Sequence, residues 1–313
     1  MVILSVSRRT DIPAYYGRWL LNRLREGWLL IPNPRNPRRL SRVELNPEKI
    51  DAIVLMTKNP APMLPLLKEL DDLGYRGRYG FQISLTAFDS EAEEPGLPPK
   101  EQLVESFRQL ARLLGPERLV WRFDPIMVNE RYSAAWHGQR FRRLAAALRD
   151  CTRRCVISFI DPYRHLGPGF REMSDQAKRA AASEIGGAAG EFGLPVFTCA
   201  EEIDLREFGV GRGACFDPGW LEMLAGTGLD FHQASGQRAA CLCPDSVDIG
   251  MYDTCLNGCS YCYATTRRGL AAARHAAHDP RSPLLSGWPV PDQEILDCRR
   301  QGSLKKRQPG LFD

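Results

Sequence analysis

The sequence has no long hydrophobic run and little excess of charge of either sign. No apolar stretch reaches the roughly 20 residues that a membrane-spanning helix needs, and Met1 to Val6 lead directly into Ser7-Arg-Arg rather than into an export signal. We therefore expect no membrane segment and a cytoplasmic location. The formal net charge of +4 permits contact with nucleic acid without indicating it.

The composition is that of a globular protein. The chain has 313 residues, of which 43% are hydrophobic and 26% are charged. A chain of this length buries a large core in one large domain or two small ones, and disorder is not expected. Its ten cysteines, in a reducing compartment, indicate metal ligands or free thiols rather than a disulfide framework.

Short apolar runs alternate with helical patterns along the first 200 residues. Six such strand, loop and helix units with short connections predict an α/β fold with a parallel sheet, either a barrel or a doubly wound sheet. The strands are predicted at 2–6, 51–56, 79–86, 118–126, 155–162 and 194–202, and helices at 19–24, 63–70, 101–114, 141–148 and 175–192.

Polar side chains follow these strands where each of them ends. In parallel α/β folds the carboxyl ends of the strands carry the ligands, so this pattern favours a TIM-like barrel, partial or complete, with its working face at that end. An arginine and an aspartate that merely fix a loop are the alternative interpretation at the first strand. We predict that the following residues hold substrate or take part in catalysis: Arg8, Arg9, Asp11, Lys58, Arg122 and Asp124.

Three cysteines lie close together near the end of the chain. Cys255, Cys259 and Cys262 form a C-x3-C-x2-C pattern, and thiolates this close can converge on one metal centre. Three ligands leave one position open on a tetrahedral zinc or on one iron of a [4Fe-4S] cluster. A structural zinc whose fourth ligand lies elsewhere is the alternative. A strand predicted at 247–252 and a helix at 267–278 would place this loop at a strand exit, on the same face as the others.

The cysteine loop resembles the cluster loop of radical S-adenosylmethionine (radical SAM) enzymes. That resemblance implies a [4Fe-4S] cluster on the three cysteines and S-adenosylmethionine on the fourth iron, with Tyr261 against the adenine. In that superfamily the loop usually follows the first strand of the barrel, whereas here it comes after residue 250. The resemblance therefore implies a circularly permuted barrel. The Gly-Gly-Glu segment of many radical SAM enzymes has no recognisable counterpart in this sequence.

A second resemblance covers roughly residues 50 to 130. Four segments occur in an order similar to that in spore photoproduct lyase and its relatives, and the chain as a whole is identified as a member of domain-of-unknown-function family 1848. The segments are Thr57-Lys-Asn-Pro, Ser84-Leu-Thr, Glu94-Pro-Gly-Leu-Pro-Pro and Arg122-x-Asp-Pro-Ile.

These resemblances imply a function. They imply a radical SAM-type enzyme, a lyase or another hydrogen-abstracting enzyme, with Thr57, Ser84 and Tyr261 at the cofactor and an electron donor as partner. The implied substrate is DNA or a damaged nucleobase first, and a small metabolite with a phosphate or carboxylate second. The alternative is an iron-sulfur or zinc protein that binds nucleic acid or a protein partner without SAM chemistry.

A second group of cysteines is dispersed along the chain. Cys199 ends a predicted strand, Cys215 follows in a glycine-rich segment, and Cys241 and Cys243 form a C-x-C before the last strand. Near one face, four thiols would complete a metal site. We favour a second [4Fe-4S] cluster, with zinc as the close alternative and buried, unliganded thiols as the third.

We divide the chain into three parts. Residues 1–200 carry the repeats of the barrel, 201–280 form a cysteine-rich segment that completes it, and 281–313 are an extended tail. Gln308, Leu311 and Phe312 resemble the anchors of the peptide by which DNA-processing proteins dock on the bacterial sliding clamp. The arginine-rich stretch at 33–42 predicts a solvated loop or a contact with phosphates.

Overall fold

The computed structural model describes residues 2–89, 92–167, 169–234 and 237–298. Within these ranges the chain forms eleven strands and eight α-helices, with short 3-10 turns between some of them. In chain order they are β1 Val2–Val6, α1 Ile12–Tyr15, α2 Gly17–Glu26, β2 Trp28–Asn33, β3 Asn36–Glu44, β4 Ile50–Thr57, α3 Leu67–Leu70, β5 Tyr79–Ser84, α4 Lys100–Leu114, β6 Leu119–Ile126, α5 Ala134–Ala147, β7 Cys155–Phe159, α6 Asp175–Gly190, β8 Val196–Cys199, β9 Val210–Gly213, α7 Pro218–Ala225, β10 Val247–Asp248, α8 Arg268–Ala276 and β11 Glu294–Asp297.

Eight strands form one parallel sheet. Their order is β10-β1-β4-β5-β6-β7-β8-β9, so that from β1 to β9 each strand of this sheet lies beside the next one along the chain, as repeated βα units require. The α/β class and the six predicted strands are confirmed. Strands β9 and β10 are the two ends of this order, and no pairing between them is present in the part of the chain that the structure describes. Closure into a barrel therefore stays a prediction.

The strand before the cysteine loop comes late in the chain but lies beside the first strand. Leu4 pairs with Val247 and Ser5 with Asp248 in parallel register, which confirms the strand expected there. It has two residues rather than the six predicted, because the chain turns after Asp248. The Asp248 carboxylate accepts the Gly250 amide at 3.0 Å, and a Cβ at Gly250 would collide with the Ser7 hydroxyl.

The sheet is buried on both faces. Along β4, Ile53 and Leu55 belong to one apolar cluster, and Ala52 and Val54 belong to a second, smaller one. Alternate residues of a strand point to opposite faces, so the near-continuous apolar run of this strand is explained. The smaller cluster also contains the four dispersed cysteines.

Three strands form a second sheet that the sequence did not predict. Strand β3 pairs antiparallel with β2 and parallel with β11. The arginine-rich stretch expected as a loop is thus mostly a strand, in which Leu40 and Val43 are buried while Arg38, Arg39 and Arg42 are exposed. The short strand β9 was also missed. The predicted helix at 63–70 is a 3-10 turn over Ala61–Leu66 followed by α3, because Pro65 lacks the amide proton that an α-helix needs.

Two sequence predictions concern a membrane and the sliding clamp. None of the described helices is both long and apolar enough to cross a membrane. Gln308, Leu311 and Phe312, the predicted clamp-docking residues, lie outside the described residues.

Candidate metal and cofactor site

One cavity of about 470 Å³ lies at the carboxyl ends of the parallel strands. The structure brings together around it every strand-exit residue and every cysteine that the sequence singled out for a site. The lining includes Arg8, Arg9, Asp11, Thr57, Lys58, Ser84, Arg122, Asp124, Tyr261, Cys199, Cys215, Cys241, Cys243, Cys255, Cys259 and Cys262. Parallel strands that end at one edge account for this convergence.

Hydrogen bonds from the backbone hold the triplet loop in shape. Asp253 closes the loop, since its amide donates to the Ala264 carbonyl at 2.9 Å and its carboxylate accepts the Thr266 amide at 2.7 Å. The Cys262 sulfur accepts the amides of Ala264 at 3.3 Å and Thr265 at 3.2 Å. These two amide donors fix the position of the Cys262 sulfur.

The three sulfurs of the triplet are spread more widely than those of a single-metal site. Thiolates on one tetrahedral zinc lie about 3.8 Å apart, from Zn–S bonds of about 2.3 Å. Among the described residues, Cys255, Cys259 and Cys262 do not form a group with all ligand atoms within 4.8 Å. Burial raises the pKa of Cys259 to about 12, so a metal must displace the proton from this thiol when it binds.

Asp11 joins the triplet loop to two strand exits. Its carboxylate accepts the amides of Lys58 at 2.8 Å and Ala14 at 3.1 Å, and the side-chain amide of Asn257 at 3.1 Å. Tyr15 donates to Asn257 in turn, at 2.7 Å. Burial raises the pKa of the Asp11 carboxyl. These bonds make Asp11 a positioning residue for the loop, and its predicted contact with substrate stays a prediction.

A buried ion network lies beside the triplet. Glu94, with 1% of its side chain exposed, pairs with Lys58 at 2.7 Å and with Lys100 at 3.4 Å. The Tyr261 hydroxyl donates to Glu94 and accepts from Lys58 at 3.0 Å. Burial opposes the charge of Glu94, but the two lysines outweigh it and lower the pKa of the carboxyl to about 2. Glu94 and Lys58 therefore both stay charged near neutral pH.

The remaining predicted residues divide between two sides of the cavity. Arg122 donates to Asp124 through Nε at 3.1 Å and to Gln82 through Nη1 at 3.1 Å. The Arg8 amide donates to Asp248 at 2.7 Å, and Arg9 lies 3.9 Å from the same carboxylate. The Thr57 hydroxyl accepts the Asn59 amide at 3.0 Å, and Ser84 lines the cavity at the end of β5.

The second group of thiols is the more compact. The sulfurs of Cys199, Cys215 and Cys243 all lie within 4.8 Å of one another, with 3.2 Å between those of Cys215 and Cys243. Cys241 interacts with Cys243. Hydrogen bonds from Cys199 and Cys243 lower the pKa of Cys215. A buried thiol triad of this kind could bind a metal ion.

Comparison with known families assigns the chain. A family model described as a domain of unknown function (DUF1848) matches residues 3–264. The chain belongs to this family. The match confirms the family expected from the sequence and includes both groups of cysteines of the DUF1848 chain. No curated protein matches it.

Sequence reasoning about this DUF1848 chain missed three residues of the site. Glu94 was noticed only as part of a loop, although an acidic residue in a proline-rich loop beside a predicted strand exit was a usable signal. Asp248 lies within a strand that was predicted, and its carboxylate also accepts the hydroxyls of Ser5 at 3.0 Å and Ser7 at 2.8 Å. Asn257, between the first two cysteines, gave no signal beyond its place in the loop.

Proposed function

We propose that this protein is a radical SAM-type iron-sulfur enzyme. In this proposal Cys255, Cys259 and Cys262 hold a [4Fe-4S] cluster, and S-adenosylmethionine binds in the cavity beside it. The observation that carries the proposal is that the triplet opens into the same cavity as the polar exits of the parallel strands.

The residues present fit such a group. A volume of about 470 Å³ lies within the range of about 300–1,000 Å³ that is usual for small-molecule and cofactor sites. Arg8 Nε and the Thr10 hydroxyl are buried at this cavity with no hydrogen-bond partner among the described residues, and a polar ligand would satisfy them. Three cysteines leave one iron free for an outside ligand.

When bound, the cluster and S-adenosylmethionine supply a 5′-deoxyadenosyl radical that abstracts hydrogen from a substrate. The chain's own residues bind and orient the cofactor and the substrate. Lys58 and Glu94 fix the Tyr261 hydroxyl, and Phe88 lies 5.6 Å from its ring, so that this ring presents a defined surface to an adenine.

The other strand-exit residues act on the bound molecules. Thr57 and Ser84 hydrogen-bond the cofactor, while Lys58, Arg122 and Asp124 hold the substrate together with Arg8 and Arg9. A closed barrel would exclude water from the reacting groups.

Loss of one triplet cysteine tests this proposal. The protein is purified without oxygen, its iron and sulfide are measured, and it is incubated with dithionite and S-adenosylmethionine. We expect 5′-deoxyadenosine from the wild-type chain, none from Cys259→Ala, and an unchanged yield from Cys151→Ala, whose thiol lies outside the cavity lining. A colourless protein with zinc and no iron would overturn the proposal. A loaded cluster that forms no product would favour a metal protein that binds nucleic acid or a partner.

We further propose DNA with a damaged base as substrate, and a small phosphate- or carboxylate-bearing metabolite as the second candidate. The exposed arginines of β3 support a contact with DNA, although Arg39 pairs with Glu294 at 2.9 Å and Arg38 lies 3.9 Å from Asp292. Binding to lesion-bearing duplex should weaken with salt and with Arg38→Ala/Arg39→Ala. Equal binding by the double variant would remove this surface from the proposal. An electron donor and the sliding clamp are the further partners proposed.

A further inference from the structure

The second group of thiols lies where the parallel sheet has its two ends. Cys199 is the last residue of β8, Cys215 follows β9 closely, and Cys241 and Cys243 come shortly before β10. Strands β9 and β10 are the edge strands, with no backbone pairing between them in the described ranges. The thiols therefore link chain segments from both edges of the sheet.

All four thiols belong to one buried apolar cluster. The sulfurs of Cys199, Cys215 and Cys243 lie within 4.8 Å of one another, Cys241 lies in the same cluster but outside this compact triad, and the four residues are between 2% and 7% exposed. The loop that carries the C-x-C is held by its own bonds, since the Cys241 amide donates to the Arg238 carbonyl at 2.9 Å and the Ala234 amide donates to the Cys243 carbonyl at 3.2 Å. Three of the proposed ligands are thus gathered before any ion binds, and the fourth belongs to the same held loop.

The spacing of these sulfurs fits one ion. Ligand sulfurs on a tetrahedral zinc lie about 3.8 Å apart, and three sulfurs within 4.8 Å of one another are close to that arrangement. In a four-iron cluster each cysteine binds a different iron, so the sulfurs lie farther apart, as those of the triplet do. The separation of 3.2 Å between Cys215 and Cys243 is too long for a disulfide bond of about 2.05 Å.

Two buried arginines supply counter-charge. A divalent ion with four thiolates carries two surplus negative charges. Arg8 interacts with Cys215 and Cys243 and stacks on Phe216 at 4.8 Å, and Arg122 interacts with Cys215 and Cys199. Both guanidinium groups also have aspartate neighbours, so they compensate the site in part. An otherwise apolar cluster thus has positive charge directly at its thiols.

We propose that Cys199, Cys215, Cys241 and Cys243 bind one zinc ion, and that this ion joins the two edges of the parallel sheet. Four protein ligands close the coordination sphere, which is typical of a structural zinc site. The ion takes the place of the backbone pairing between β9 and β10. It also holds Arg8 and Arg122 at the cavity, and it does so whether or not the triplet carries a cluster.

The test separates this site from the triplet. A Cys255→Ala/Cys259→Ala/Cys262→Ala variant is purified, and its zinc, iron and sulfide are measured. We expect one zinc per chain without sulfide, and zinc-edge X-ray absorption with four sulfurs at about 2.3 Å. Adding Cys215→Ser/Cys243→Ser should reduce zinc to background, while adding Cys155→Ala, a buried thiol in β7, should leave it unchanged. Zinc-free protein, or protein with iron and sulfide, would overturn the proposal.

Two measurements keep the test decisive if the double serine variant does not fold. Cobalt(II) in place of zinc should give the visible bands of a tetrahedral four-thiolate site, and Cys241→Ser should shift these bands to those of a three-thiolate site. Zinc removal should speed hydrogen exchange in β9 and β10 but not in β5, at the centre of the sheet. An unaltered cobalt spectrum in Cys241→Ser would remove that ligand and the four-thiolate site with it. Equal exchange at edge and centre would refute the link between the edges.

Discussion

The two groups of cysteines differ both in their spacing along the chain and in the distances between their sulfurs. The triplet occupies eight consecutive residues, yet its three sulfurs do not all lie within 4.8 Å of one another. The other group extends from residue 199 to residue 243, yet three of its sulfurs lie within 4.8 Å of one another. Closeness in sequence therefore does not predict closeness of ligand atoms.

The surroundings of the two groups differ as well. The triplet lies beside a buried acid, Glu94, which pairs with Lys58 next to Cys259. The second group has arginines as its charged neighbours and belongs to the apolar cluster on one face of the sheet. The charged groups beside the triplet are thus an acid and lysines, and those beside the second group are arginines within an apolar cluster.

Loss of the buried acid should produce the largest effect and should act only on the triplet side. Glu94→Ala leaves Lys58 and Lys100 without their counter-charge, and breaking a buried ion pair costs about 3–5 kcal/mol. Denaturant unfolding should show this loss, while the zinc of the second group is retained. Glu101→Ala, at an exposed position of α4, should stay within about 0.5 kcal/mol. Loss of zinc from folded Glu94→Ala would contradict the separation of the two sides.

The same network should make stability depend on pH. The pKa of Glu94 is lowered from its ordinary 4.5 to about 2, so the folded state binds fewer protons than the unfolded state between these values. The contribution of this carboxylate to stability is therefore complete above pH 4.5 and is lost as the pH falls towards 2. Unfolding curves recorded at decreasing pH should show this loss, and Glu94→Gln should remove that part of it. An identical slope in both proteins would assign the acid sensitivity to other groups.

A smaller effect is expected from the arginine beside the second group. Arg122→Gln removes a guanidinium next to Cys215 and Cys199, and loss of a partner outside the ligand shell typically lowers metal affinity about 10- to 100-fold. Competition with a zinc-binding dye should measure this change in the variant without triplet cysteines. Arg112→Gln, on the exposed face of α4, is the control. An unchanged affinity would show that Arg122 belongs to the substrate side alone.

Most of the parallel sheet was predictable because its strands are continuous apolar runs. The run at Ile50–Thr57 is buried on both faces, so sequence and burial agree. Strand β3 was not predictable, since Pro37, Arg38 and Arg39 occupy exposed positions before Leu40, and only Leu40 and Val43 of this strand are buried. The triplet was predictable from spacing. The pairing of Glu94 with Lys58 and that of Asp248 with the exit of β1 were not predictable, because tertiary contacts set both of them.

The smallest effect should come from the second sheet, none of whose strand residues lines the cavity that both groups of cysteines share. Arg39 pairs with Glu294 across β3 and β11, and both side chains are more than half exposed. Exposed ion pairs contribute about 0–1 kcal/mol and are screened by salt. Arg39→Ala should therefore lower the free energy of unfolding by less than about 1 kcal/mol, and the metal content of both groups should stay equal to that of the wild-type chain. If either metal were lost, the second sheet would have to support the cavity, and the two thiol groups could no longer be compared as independent sites.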